Sequence, residues 1–220
     1  MSEVSNQIKK IKELAKIPMK TEQETKRVEI IMLKFKEPSE VIDEAVLRLI
    51  HLTDYPFKLT IYDNRPNTAN TSRIWNKLVS DSTCDYVLII DSDAYVPALD
   101  PCWLTRMMES IDETGIVIPV SDATGGAMQR VNAPEVGTYL NKGAWSGYCF
   151  LFKKSVWEKN KFDERFYIYG QDSEWALRTG GAIMRKDVLV KHTGGASFKS
   201  DPMRNADKQY ARALFTKLTK

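Results

Sequence analysis

Two aspartates separated by one serine close an otherwise apolar stretch, "DYVLIIDSDAYVP" at residues 85–97. Asp91 and Asp93 carry like charges side by side and repel unless a cation lies between them. A hard divalent ion held by one or two carboxylates, with open positions left for substrate phosphates, is the normal binding mode of Mg2+ or Mn2+. Such an ion relieves the repulsion and neutralises a departing diphosphate. Asp-x-Asp is also an ordinary turn former, so the metal reading depends on the other residues that share its surroundings.

Those residues come from the ends of neighbouring strands. The run "VEIIML" at residues 28–33 ends near Lys34, Phe35 and Glu37, and a second run at residues 57–62 ends in Asp63 and Asn64. Asp63 is suited to accept hydrogen bonds from a base or ribose. Helical patterns follow Ser39, span residues 70–79 and span residues 98–111, and a fourth strand covers residues 115–120. This βαβαβαβ alternation predicts a parallel sheet with helices on both faces and right-handed crossovers. In such sheets ligands bind outside the carboxyl ends of the strands, which puts the three strand ends on one rim.

The remainder is less regular. Residues 121–143 read as a long polar loop, 145–154 as a strand, 172–178 as a helix stopped by Gly180 and Gly181, and 182–192 as one bent or two short strands. Residues 5–20 form a short amphipathic, lysine-rich helix. It either packs on the domain or offers a basic arm to an acidic membrane surface or partner. Residues 205–218 read as a helix with a basic end.

The 220 residues suffice for one domain, and 43% hydrophobic with 28% charged residues is ordinary for a globular protein. A net charge of +3 demands no nucleic acid. Cys84, Cys102 and Cys149 are too widely spaced for a zinc pattern and odd in number, so buried thiols in a reducing compartment, the cytoplasm, are expected. No apolar run approaches the roughly 18 residues of a membrane span.

The stretches "VEIIMLKFKEPSEVIDEAVLRLI", "KLTIYDN", "CDYVLIIDSDAYV", "FDERFYIYGQDSEWALR" and "VKHTGGAS" occur in the order seen in family 2 inverting glycosyltransferases, and the chain resembles that family over residues 27–198. The resemblance implies a GT-A fold: one Rossmann-like, mostly parallel sheet flanked by helices, with a smaller acceptor-binding part. It divides the chain into an arm (1–26), a catalytic domain (27–198, with a nucleotide-sugar half to 120 and an acceptor half from 121) and a basic tail (199–220). It implies a nucleotide-sugar donor, UDP-linked by preference, and Mn2+ or Mg2+. Leu33, Lys34, Phe35, Glu37, Asp63, Asn64, Asn76, Asp91 and Ser92 would then hold the nucleotide sugar. Asp91, Asp93 and His192 would hold the metal, and Asp172 would be the catalytic base.

The sequence departs from the family at two of these motifs. Trp75 replaces the arginine that precedes the asparagine matched by Asn76, and Gln171 replaces the glutamate before the base. Among the aromatic residues near the base, Trp145 and Trp175 are the candidates for stacking on an acceptor, while Lys199 and Arg204 could close over the diphosphate. The acceptor is a glycan, a lipid-linked sugar or a modified DNA base, and basic terminal helices fit contact with a membrane surface or polyanion. Two alternatives are a non-catalytic nucleotide-sugar-binding module and a metal-dependent nucleotidyltransferase. The second lacks its glycine-rich phosphate loop, since residues 34–40 contain no glycine.

Overall fold

A computed structural model of the chain describes residues 27–35, 37–65, 70–124, 127–193 and 202–218, with side chains in the last stretch from residue 206. The expected arm at residues 1–26 lies outside the described residues. Strands β1 (Val28–Lys34), β2 (Phe57–Asp63), β3 (Tyr86–Asp91), β5 (Ile116–Val120), β6 (Thr138–Asn141), β7 (Cys149–Lys153) and β8 (Ala182–Leu189) form one sheet in the order β2-β1-β3-β7-β5-β8-β6. Strands β4 (Ala94–Tyr95) and β9 (Lys191–His192) form a separate ribbon. The helices are α1 (Ser39–Leu52), α2 (Thr71–Asp81), α3 (Trp103–Glu109), α4 (Ile111–Thr114), α5 (Lys154–Lys159), α6 (Gln171–Thr179) and α7 (Pro202–Leu218).

The sheet is mostly parallel, as the alternation predicts, with two exceptions. β2, β1 and β3 pair in parallel and so do β5 and β8, but the edge strand β6 runs antiparallel to β8, and β7 runs antiparallel between β3 and β5. Its composition accounts for the position. Cys149, Phe150, Leu151 and Phe152 are all fully buried, so both faces of this strand must be covered and both edges paired. Strands from residues 121–198 therefore interleave with those from residues 27–120 in a single sheet.

The two faces of the sheet follow the two-residue period of a strand. Ile30, Met32, Leu88, Ile90 and Leu151 point to one side, where they meet Ala45 and Leu49 of α1 and Trp103 and Met107 of α3. Ile31, Val87, Ile89, Phe150 and Phe152 point to the other, where they meet Trp75 of α2 and Trp175 of α6. The second side is rich in aromatic rings; Phe162 and Trp175 approach to 5.0 Å between centroids.

Three elements differ from the sequence pattern. The helix expected over residues 98–111 starts at Trp103, because Pro101 bars its predecessor from helical geometry, and Ser110 breaks it. The strand expected over 145–154 is confined to Cys149–Lys153. The long loop contains β6, an edge strand with three of four residues exposed, which leaves no apolar alternation to read. All three cysteines are buried and free. Among the described residues no helix is long and apolar enough to cross a membrane.

A cluster of charges fastens α3 to β8. Arg185 binds Asp187 (Nη2–Oδ2, 2.8 Å) and Glu109 (3.1 Å), and Arg106 binds Asp187 from the other side (3.1 Å). The Asp187 side chain is 16% exposed, and the Arg185 guanidinium holds its carboxyl below the usual aspartate range. An acid with a depressed folded-state pKa stabilises the fold above its unfolded pKa, and the contribution is lost as pH falls through the folded value. Asp187→Asn is therefore expected to cost about 1–3 kcal/mol at neutral pH, a cost that shrinks as the pH falls through the lowered folded value of Asp187; urea unfolding as a function of pH checks this.

Candidate active site

A cleft of about 820 Å3 opens above the carboxyl ends of β1 and β3. Leu33, Phe35, Glu37, Asn64, Ser92 and Trp145 line it, together with Asp91, Asp93, His192 and Asp172. The C-terminal ends of parallel strands are where such a sheet leaves room for a ligand.

The candidate metal-ligating trio is assembled by the β4–β9 ribbon, which pairs Ala94 with His192. Asp91 ends β3 and Asp93 follows in a turn directly before β4. His192 Nε2 lies 3.0 Å from Asp93 Oδ1 and 3.5 Å from Asp91 Oδ2. One ligand atom from each residue falls within 4.8 Å of the others. His192 Nδ1 lies 3.0 Å from the carbonyl of Ala123, a contact that keeps a proton on Nδ1 and turns Nε2 to the carboxylates. Burial alone lowers the His192 pKa, but the bonds and charges of Asp91 and Asp93 raise it to about 10. Desolvation pushes Asp91 up, with Asp93 and Glu37 adding to that push. Two carboxylates and an imidazole are thus gathered around a place for positive charge, a donor set that fits a divalent cation. Glu37 braces the rim: its Oε2 accepts from Ser92 Oγ (2.9 Å) and from the amide of Phe35 (3.1 Å).

Asp172 sits in the first turn of α6, where the helix dipole favours negative charge. Its Oδ2 accepts from the amide of Gly147 (2.7 Å) and its Oδ1 from that of Ser173 (2.7 Å). Burial raises the Asp172 pKa above the usual aspartate value, and these two amides work against the rise. Such an acid is more basic than a surface aspartate, as a general base requires. Gly147 is there for space: a Cβ on it would lie 2.6 Å from Asp172 Cβ.

Residues 145–148 connect base and metal site. Gln129, fully buried, holds Ser146 at both ends of its peptide geometry: its Oε1 accepts from Ser146 N (2.6 Å), and its Nε2 donates to Ser146 O (3.4 Å) and to Pro119 O (3.3 Å). Gly147 binds the base. Tyr148 accepts from the amide of Asp91 (2.8 Å), and its ring stacks on His192 at 5.3 Å. Gln129 and Gly147 went unnoticed in the sequence. The one available signal was a glycine immediately before a fully apolar strand, in "WSGYCFLF".

Other residues expected at the site lie elsewhere. Lys34 and Asp63 end adjacent strands but are not on the cleft wall. Asp63 is exposed and paired with Arg65, whose hydrogen bonds hold its carboxyl well below the usual range. Asn76 fastens the chain after α5: its Oδ1 accepts from Trp157 Nε1 and Phe162 N, each at 3.0 Å. Trp175 is fully buried in the aromatic layer and donates its N–H to the Asn160 carbonyl. Lys199 lies outside the described residues, and so does the side chain of Arg204. From α7 it is Lys208 that reaches the cleft wall, with Nζ 5.2 Å from the Tyr169 ring centre. Asp207 anchors the helix by accepting from the Ile168 amide (3.2 Å).

No protein-family model matches the chain. Among curated proteins, the O-antigen biosynthesis protein RfbC of Myxococcus xanthus is 22% identical over 80% of this chain, which spans 18% of that relative's length. Two solved structures share the fold. GalNAc-T7, solved with UDP, GalNAc and Mn2+, superposes with a TM-score of 0.61 at 12% identity, over 78% of this chain and 44% of that one. Residues 1–349 of S. aureus TarS superpose with a TM-score of 0.52 at 13% identity, over 84% of this chain and 69% of that one. The chain has the GT-A-type architecture of these glycosyltransferases.

Gly147→Ala drives a methyl into Asp172 and is expected to cost about 1–3 kcal/mol by overpacking, measured by denaturant unfolding. The methyl also pushes Asp172 away from the residue 147 amide and weakens a bond that lowers the Asp172 pKa, so a carboxyl-carbon NMR titration of the variant should move further upward.

Proposed function

We propose that the protein is a divalent-metal-dependent, inverting glycosyltransferase that moves a sugar from a nucleoside-diphosphate sugar to an acceptor hydroxyl. The observation that carries the reading is one cleft that gathers Asp91, Asp93 and His192, close enough to ligate one cation, at one end of residues 145–148 and a half-buried, hydrogen-bonded carboxylate at the other. Solved GT-A relatives support it, one of them holding UDP and Mn2+, and so does the O-antigen relative, which favours a glycan or lipid-linked sugar as acceptor. The catalytic domain is residues 27–198. Three free, buried cysteines suit a reducing compartment such as the cytoplasm.

The residues divide the work. Leu33, Phe35 and Asn64 line the nucleoside end of the cleft. Asp91, Asp93 and His192 would hold Mn2+ or Mg2+, which when bound supplies the positive charge that stabilises a leaving diphosphate. Asp172 takes the proton of the acceptor hydroxyl as its oxygen attacks the anomeric carbon and the bond from that carbon to the diphosphate oxygen breaks. One displacement on the face opposite the leaving group inverts the anomeric centre. The proton ends on Asp172, and burial of the carboxyl makes that outcome favourable.

Asp172→Asn should retain metal-dependent nucleotide binding and lose turnover by about 10²–10⁴-fold; undiminished turnover would remove Asp172 as base. In the wild type, the acid limb of kcat/KM should rise with pH as Asp172 deprotonates, with a midpoint above that of an ordinary aspartate. Turnover should stop in excess EDTA and return with added Mn2+, and turnover that persists in EDTA would end the metal assignment.

A further inference from the structure

The chain has five tryptophans, and the fold treats their indole N–H groups in two ways. The three away from the cleft all donate: Trp103 to Thr53 Oγ1 (2.9 Å), Trp157 to Asn76 Oδ1 (3.0 Å) and Trp175 to the Asn160 carbonyl. The two on the cleft wall, Trp75 and Trp145, have buried N–H groups with no hydrogen-bond partner in the protein. Gln171, also on the wall, has a buried amide oxygen in the same condition. Five such atoms occur among the described residues, so three of the five belong to this one cleft. Buried polar groups are almost always paired, and concentrated exceptions call for a reason.

The three side chains belong to one part of the wall. Trp145 and Trp75 both pack on Phe150, with ring centres at 5.0 Å and 5.9 Å. Gln171 immediately precedes Asp172, which is held by Gly147, two residues beyond Trp145. Trp75 and Gln171 are also the two positions where the sequence departs from the family that it resembles, so what they do belongs to this chain.

We propose that Trp75, Trp145 and Gln171 form a subsite that reads the hydroxyls of the transferred sugar. This rests on the glycosyltransferase reading and adds to it the residues that choose the donor sugar. Two fixed donors and one fixed acceptor ask for a ligand that offers both kinds of partner from one ring, as a hydroxylated sugar does. Its anomeric carbon must sit between the cation site and Asp172, beside Trp145 and Gln171. The three atoms are closed to bulk solvent, so a ring engages them by displacing wall side chains and then meets no competing water. A site that leaves polar groups unpaired when a hydroxyl is missing or inverted discriminates strongly.

The test uses the variants Trp75→Phe, Trp145→Phe and Gln171→Met in the full chain. Gln171→Met should melt at or above the wild-type temperature, since it removes an unpaired polar atom, while the two Trp→Phe variants lose buried ring volume, melt lower and stay folded. The affinity for UDP with Mn2+ should stay within about two-fold. The ranking of kcat/KM for donor turnover, with water as acceptor, across UDP-sugars that differ in one hydroxyl should flatten by ~10-fold or more. An unchanged ranking overturns the inference while leaving the glycosyltransferase reading intact. A parallel fall in UDP affinity overturns it too, by assigning the three residues to the nucleotide. A wild type that binds neither nucleoside diphosphates nor nucleotide sugars in the presence of Mn2+ brings down the functional reading and this inference together.

Discussion

The cleft depends on a single backbone constraint: residues 145–148 enter β7 with no freedom to move. β7 lies in the middle of the sheet, paired on both sides, and its four apolar residues are sealed between the helical layers. The segment leading into it inherits that rigidity. Gly147 and Tyr148 then hand it on to the two reactive ends of the cleft, one by a hydrogen bond to Asp172, the other by contacts with Asp91 and His192. Groups that must act within a narrow tolerance are best carried by elements whose own positions are locked by packing. Here the lock is a strand that takes no part in the chemistry.

The electrostatics have the same economy. Glu37, Asp91, Asp93 and Asp172 all face one cavity, an arrangement that apolar packing alone would never favour. Each carboxylate is managed differently. Glu37 is taken up by the Ser92 hydroxyl and a backbone amide, Asp172 by two backbone amides, and Asp91 and Asp93 by His192. The first two are satisfied by neutral donors and need no ion. The pair with His192 is held by charge, so it is the part of the cleft suited to take up a cation.

Much of this was legible in the sequence, for identifiable reasons. β1 and β3 announce themselves through apolar runs, and the aspartates that end β3 stand out because they break such a run. The helix that carries Asp172 could be read from its glycine stop. Topology was not legible: local periodicity shows that residues 149–153 are buried on both faces but not which strands lie beside them. Asp63 was misleading because sequence does not show which residue at a strand end faces the cleft: at the end of β2, Asp63 is exposed and paired with Arg65, while Asn64 beside it lines the cleft. Asn76 and Trp175 belong to helices whose motifs face the site on one side and the core on the other, and rotation about a helix axis is decided by packing. Gln129 could not be found, since a lone glutamine in a polar loop carries no pattern until the peptide it binds is in place.

The β4–β9 ribbon has a consequence for how the protein is made. Thr193 donates its hydroxyl to the Asp93 carbonyl across 100 residues of chain, alongside the Ala94–His192 pairing. On the ribosome, the sheet core from β1 to β3 emerges long before β9 does, and domains fold as their parts become available. A nascent chain ending anywhere before residue 191 carries the paired aspartates without the histidine that completes their surroundings. The candidate cation site therefore matures only once residue 192 has been made, and a product terminated before it would lack that site even where β1 to β3 had formed.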